Sequence, residues 1–97
     1  MQIKKTASAG TLESSDIMII LEKGDKGIEI DLSSTVEKQY GEHIREVIKH
    51  TLMDLGVTNV KLVAKDRGAL DCTIKARVMA AYYRAVESTD YKWGGGE

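Results

Sequence analysis

The sequence predicts an α+β domain: a small, mostly antiparallel sheet in β-β-β-α-β-α order, with two helices packed on one face. Three observations lead there. The first third of the chain carries short alternating or β-branched apolar runs separated by glycine-containing turns. Residues 36–55 and 70–86 instead repeat their apolar residues at helical spacing. Finally, 97 residues suit a single core, since two smaller pieces would bury too little surface each. One domain over 1–97 is expected.

There is no proline, so glycines mark the breaks. Ile3 to Ser8 alternate weakly and predict a short edge strand, followed by the loop AGTLESS. DIMIILE (16–22) is nearly all apolar and rich in β-branched residues, as a central strand should be. KGDKG (23–27) reads as a turn, and IEIDL (28–32) places Ile28, Ile30 and Leu32 on one face. The pair reads as a hairpin.

Ser34-Thr35-Val36-Glu37 has the form of a capping box, in which Ser34 would accept from the Glu37 amide while Glu37 reaches back. Val36, Tyr40, Ile44, Val47, Ile48, Thr51 and Leu55 then recur along one helical face, and Gly56 supplies a left-handed stop. VTNVKLVAK (57–65) predicts a strand with Val60, Leu62 and Ala64 on one side. The last element is more ambiguous. Leu70, Ile74, Val78, Ala81, Tyr82, Ala85 and Val86 fit a helical face with Asp71 in the first turn, where the helix dipole favours an acid. Local alternation at Cys72, Ile74, Ala76 and Val78 suits a strand, while the Ala-rich length to Glu87 favours the helix. The tail STDYKWGGGE (88–97) is expected to fray.

Composition narrows the function. With 14 basic residues against 15 acidic, and a net charge of −1, the chain lacks the basic surface from which nucleic-acid affinity derives. No apolar run is long enough to span a bilayer, and no apolar segment of a secretory signal follows MQIKK. The single Cys72 fits a reducing compartment, so a cytoplasmic chain is expected.

No set of residues assembles an active site. His43, Glu46 and His50 share a helical stripe, but histidines seven residues apart are separated by roughly 10 Å along the axis, too far to ligate one ion. A solvated or interface stripe is the expectation, and no metal. Cys72 has no histidine near it in the chain and reads as a half-buried small residue. Lys65, Arg67, Lys75, Arg77 and Arg84 make the last third basic: a solvated face, or a dock for an acidic or phosphate-bearing partner.

GTLESSD (10–16) sets two serines between two carboxylates in a loop. A solvated turn and a modified hydroxyl both remain open on chemistry alone, since an attaching enzyme reaches a loop more readily than a regular element.

AGTLESSD (9–16), STVEKQYG (34–41) and LGVTNVKLVAKDRGALDCTIKARVMAA (55–81) resemble the acyl carrier protein, or gamma chain, of citrate lyase. The likeness runs to about Tyr91. It implies that Ser14, not Ser15, bears a phosphoribosyl dephospho-coenzyme A group through a phosphodiester, placed there by a dedicated transferase. It further implies two partner subunits. An alpha subunit exchanges acetyl for citryl on the arm's thiol. A beta subunit, holding a divalent metal, cleaves the citryl group to oxaloacetate. This chain would be a non-catalytic carrier. It is more distantly similar to the carrier of malonate decarboxylase, which stands as an alternative beside an unmodified interaction domain. The helical carriers of fatty-acid synthesis differ from it, being strongly acidic and carrying an Asp-Ser-Leu motif that is absent here.

Overall fold

A computed structural model describes residues 3–86. Its elements are β1 (Ala7–Gly10), β2 (Ile17–Glu22), β3 (Ile28–Ser34), α1 (Glu37–Asp54), β4 (Val60–Asp66) and α2 (Asp71–Ala85), the predicted α+β order. The tail 88–97, expected to fray, lies outside the described residues. Among the described residues no helix is long and apolar enough to cross a membrane.

The strands lie in the order β1-β2-β4-β3. The pairs β1–β2 and β2–β4 are antiparallel, and β3–β4 is parallel. The expected hairpin of 16–22 with 28–32 does not form, because β4 lies between these strands. A helical crossover such as α1 returns the chain parallel to the strand it left. The returning strand is also the more apolar one: Val60, Leu62 and Ala64 are fully buried, whereas Glu29 and Asp31 leave β3 suited to an edge. Residues 23–27 therefore span two strand spacings, roughly 10 Å. This link is stitched to the start of β4 by Val60 N donating to Gly27 O (3.0 Å) and Gly27 N donating to Asn59 Oδ1 (2.9 Å).

Three further expectations are corrected. The edge strand covers 7–10 rather than 3–8, because the amides of Lys4 and Lys5 both donate to the carbonyl of Ala85 at the end of α2. The capping box is replaced by a different use of Ser34. Its hydroxyl accepts from Val36 N (3.0 Å) and donates to Asp66 Oδ2 (2.8 Å), so the N-cap falls on Val36, whose side chain has no hydrogen-bonding atom. Tyr40 and Leu70, assigned to the apolar faces, are 53% and 70% exposed.

The helix stop at Gly56 is as predicted. Gly56 has φ +80°, its amide donates to Met53 O, and Val57 N donates to Leu52 O. That is a Schellman motif, with buried Val57 and Leu52 at the positions whose apolar contact usually completes it.

Both helices cover one face of the sheet. Ile17, Ile19, Leu21, Leu62 and Ala64 form its floor, roofed by Ile48 and Leu52 from α1 and Ile74, Val78 and Ala81 from α2. Period-two alternation sends Met18, Ile20 and Val63 to the opposite face, where they are half-buried among charged neighbours such as Lys61, Lys65 and Asp31. The ends of β3 and β4, the starts of both helices and the β1–β2 loop meet at one pole.

Candidate functional site

The loop of residues 11–16 joins β1 to β2 at that pole, and its base is fixed from three sides. Gly10 enters it with φ +98°, where a Cβ would lie within 2 Å of the Ile17 carbonyl, so only glycine fits. Thr11 Oγ1 donates to Asp16 Oδ2 (2.6 Å) and accepts from Glu13 N (3.2 Å), closing the loop across its mouth. Arg77, reaching from α2, grips the Asp16 carboxylate in a fork: Nε to Oδ1 at 3.0 Å and Nη2 to Oδ2 at 2.9 Å. Asp16 Oδ1 also accepts from Ile17 N (2.7 Å).

The planar match of guanidinium and carboxylate makes this a strong kind of charge-assisted pair. The Arg77 hydrogen bonds, then the Thr11 hydroxyl, hold the Asp16 carboxyl well below the usual carboxylate range, and Asp16 in turn raises Arg77. A carboxyl whose folded pKa is depressed stabilises the fold above its unfolded pKa, about 4, and loses that contribution as pH falls further. Wild type should therefore lose stability more steeply below about pH 4 than Arg77→Met, with the variant weaker at pH 7. Urea midpoints from pH 7 to pH 3 measure both slopes. Equal acid slopes would show that the pair contributes nothing to this dependence.

Above the pinned base, Glu13–Asp16 form a turn closed by Asp16 N donating to Glu13 O (3.2 Å). Ser14 and Ser15 occupy its two central positions, and both are exposed. They differ in backbone. Ser15 has φ +66°, a value that glycine or asparagine usually takes at the third turn position, and its amide donates to Arg67 O (2.8 Å). Ser14 holds the outer corner, and its hydroxyl has no hydrogen bond among the described residues.

Of the remaining candidates, one adjoins the loop and others lie away from it. Arg67 sits beside the loop, its amide donating to Asp16 O (2.9 Å). Arg84 donates to Ser8 O (2.7 Å). Lys75 is exposed on α2. His43 meets Asp71 (2.9 Å) and His50 lies 3.6 Å from Glu46, so the stripe resolves into two separate exposed pairs. Among the described residues no three His, Cys, Asp or Glu side chains are grouped to hold a metal. Cys72 is exposed rather than half-buried, because the first turn of α2 sends Ile74, not Cys72, to the core. The nearby His43 faces the Asp71 carboxylate.

Asp66 is the residue that the sequence reading passed over. It is 1% exposed, and its carboxylate accepts from Ser34 Oγ (2.8 Å), Gly68 N (3.0 Å) and Ala69 N (3.0 Å). The signal was Asp-Arg-Gly after a strand, a pattern in which the carboxylate caps its own turn.

Residues 4–85 match the family model of the malonate decarboxylase delta subunit. The citrate lyase acyl carrier protein of Lactiplantibacillus plantarum is 58% identical over 93 residues, covering 96% of this chain and 97% of that one. The protein of the same name from Lacticaseibacillus casei is 56% identical over 93 residues, covering 96% and 92%. Among solved structures, a chain of a Pseudomonas malonate decarboxylase hetero-tetramer in complex with malonate superposes with a TM-score of 0.59 at 19% identity, covering 88% of this chain and 92% of that one. That likeness is one of fold.

Proposed function

This chain belongs to the citrate lyase acyl carrier protein family, and from that premise we propose that it is the carrier subunit of a citrate lyase, with Ser14 bearing the acyl arm. It is a non-catalytic subunit. The arm is a phosphoribosyl dephospho-coenzyme A group, joined to Ser14 by a phosphodiester and installed by a separate transferase. When bound, it supplies a thiol that accepts acyl groups. The partners are an alpha subunit with acyl transferase activity and a beta subunit with citryl lyase activity.

The carrying observation is the contrast between a pinned loop base and a free corner. Ser14 Oγ is exposed and uncommitted. Thr11, Asp16 and Arg77 fix the backbone beneath it, so an attaching enzyme meets one conformation and loses little ordering entropy on binding. The residues also suit a phosphodiester electrically. Asp16 is neutralised within the chain, and the exposed ionic side chains at the adjoining end of β4, Lys65 and Arg67, are cationic. Leu12, Tyr40 and Leu70, all exposed, give the same pole apolar area for docking a partner. Tethering then keeps an acyl group at a high effective concentration near the partners' sites without any chemistry from this chain.

A malonate decarboxylase carrier is the second reading, favoured by the description of the matching family model. The two differ in cargo. Chain isolated from cells that make the whole complex should show an added mass of one nucleotide arm, mapped by peptide fragmentation to Ser14 and loaded with acetyl or citryl groups. Malonyl loading would move the chain to the second reading. An unmodified mass would leave it an interaction domain.

A further inference from the structure

Beside the serine loop, at the end of the sheet, lies an open concavity of about 330 Å³ lined by Leu12, Ser33, Thr35, Lys65 and Arg67, among others. The way the strands are paired explains its chemistry. Ser33 and Lys65 are register partners in β3–β4, so their side chains project side by side on the face away from the helices. Arg67 follows two residues later, with its carbonyl bonded to the Ser15 amide. Ser14 is thus one residue, about 3.8 Å of chain, from that bond.

Neither Lys65 nor Arg67 has an ion pair or a side-chain hydrogen bond among the described residues. Asp66, the carboxylate that lines the concavity, is already occupied by three protein donors, and Asp16 in the neighbouring loop is held by Arg77. Two uncommitted cations and two hydroxyls facing one open volume suit a phosphate ester, whose oxygens accept several charge-assisted bonds at once.

Resting on the reading of Ser14 as the attachment residue, we propose that this concavity is a phosphate subsite for the carried arm. Arg67 and Lys65 pair with the phosphate charge, and Ser33 and Thr35 donate hydroxyls to it. The site would hold the root of the arm against the domain and leave the thiol end free.

The test uses the full chain without its arm, observed by amide NMR while dephospho-coenzyme A, inorganic phosphate or adenosine is added. Dephospho-coenzyme A should shift the amides of Ser33, Thr35, Lys65 and Arg67, and inorganic phosphate should shift the same set more weakly. Adenosine should leave them in place. Loss of two charge-assisted contacts in Lys65→Ala/Arg67→Ala should weaken the dephospho-coenzyme A affinity by about tenfold or more. A charge-matched control, Lys49→Ala/Lys75→Ala on the helices, should bind like wild type. Equal affinity in the first variant, equal weakening in the control, or shifts driven by adenosine would each overturn the subsite. Peptide mapping of the mature chain tests Ser14 separately, so the two ideas can fail independently.

Discussion

Ser14→Ala should abolish loading by the attaching transferase, and with it all turnover by the reconstituted complex, while Ser15→Ala should keep both. The expectation follows from the turn. Ser14 Oγ stands at the exposed corner with no hydrogen bond among the described residues, so removing it disturbs nothing that holds the loop. Its effect on stability should be within about 0.5 kcal/mol, as for other exposed loop positions. Ser15 contributes its backbone, through φ +66° and the amide bond to Arg67 O, and alanine retains that amide. Intact mass after incubation with transferase and arm precursor reads loading directly, and urea midpoints check that both variants fold. An added mass mapped to Ser15 would overturn the site while leaving the carrier role intact.

Asp66→Ala should lower stability by about 3 kcal/mol, the size expected when a buried acceptor is removed and several donors are left unpaired. The Asp66 carboxylate takes the Ser34 hydroxyl and the Gly68 and Ala69 amides at a place that is 1% exposed to water. It thereby ties the end of β3 to the turn that starts α2. Thr35 N also donates to the Asp66 carbonyl (3.3 Å), so backbone and side chain act at the same junction. Asp66→Asn retains one carbonyl oxygen and should recover part of the loss. Urea unfolding followed by circular dichroism measures all three proteins. A loss under about 1 kcal/mol for the alanine variant would mean that water replaces the carboxylate there.

Local pattern alone determined a good deal of this protein. The α+β class, the element order, both helices, the stop at Gly56 and the apolar faces of β2 and β4 are all written in short-range periodicity, because burial on one side imposes a period of two on strands and 3.6 on helices. The same local reading placed Ser14 in a loop, and the resemblance singled it out as the expected attachment residue by motif. What periodicity leaves open is which strand neighbours which. Ile28, Ile30 and Leu32 face the core equally well whether β3 pairs with β2 or with β4, so the hairpin and the crossover look alike until α1 returns the chain. Capping was likewise decided at long range, since Ser34 found a better partner in Asp66, 32 residues away, than in its own helix. The same holds for the serine loop. Asp16 looked like a hydrated loop acid, and Arg77 like one of several surface cations. They are 61 residues apart, and only the packing of α2 against β1 and β2 turned them into the clamp beneath Ser14. Short-range sequence pattern states which groups can pair, whereas tertiary packing chooses the pairs, because contacts between distant segments depend on how whole elements stack.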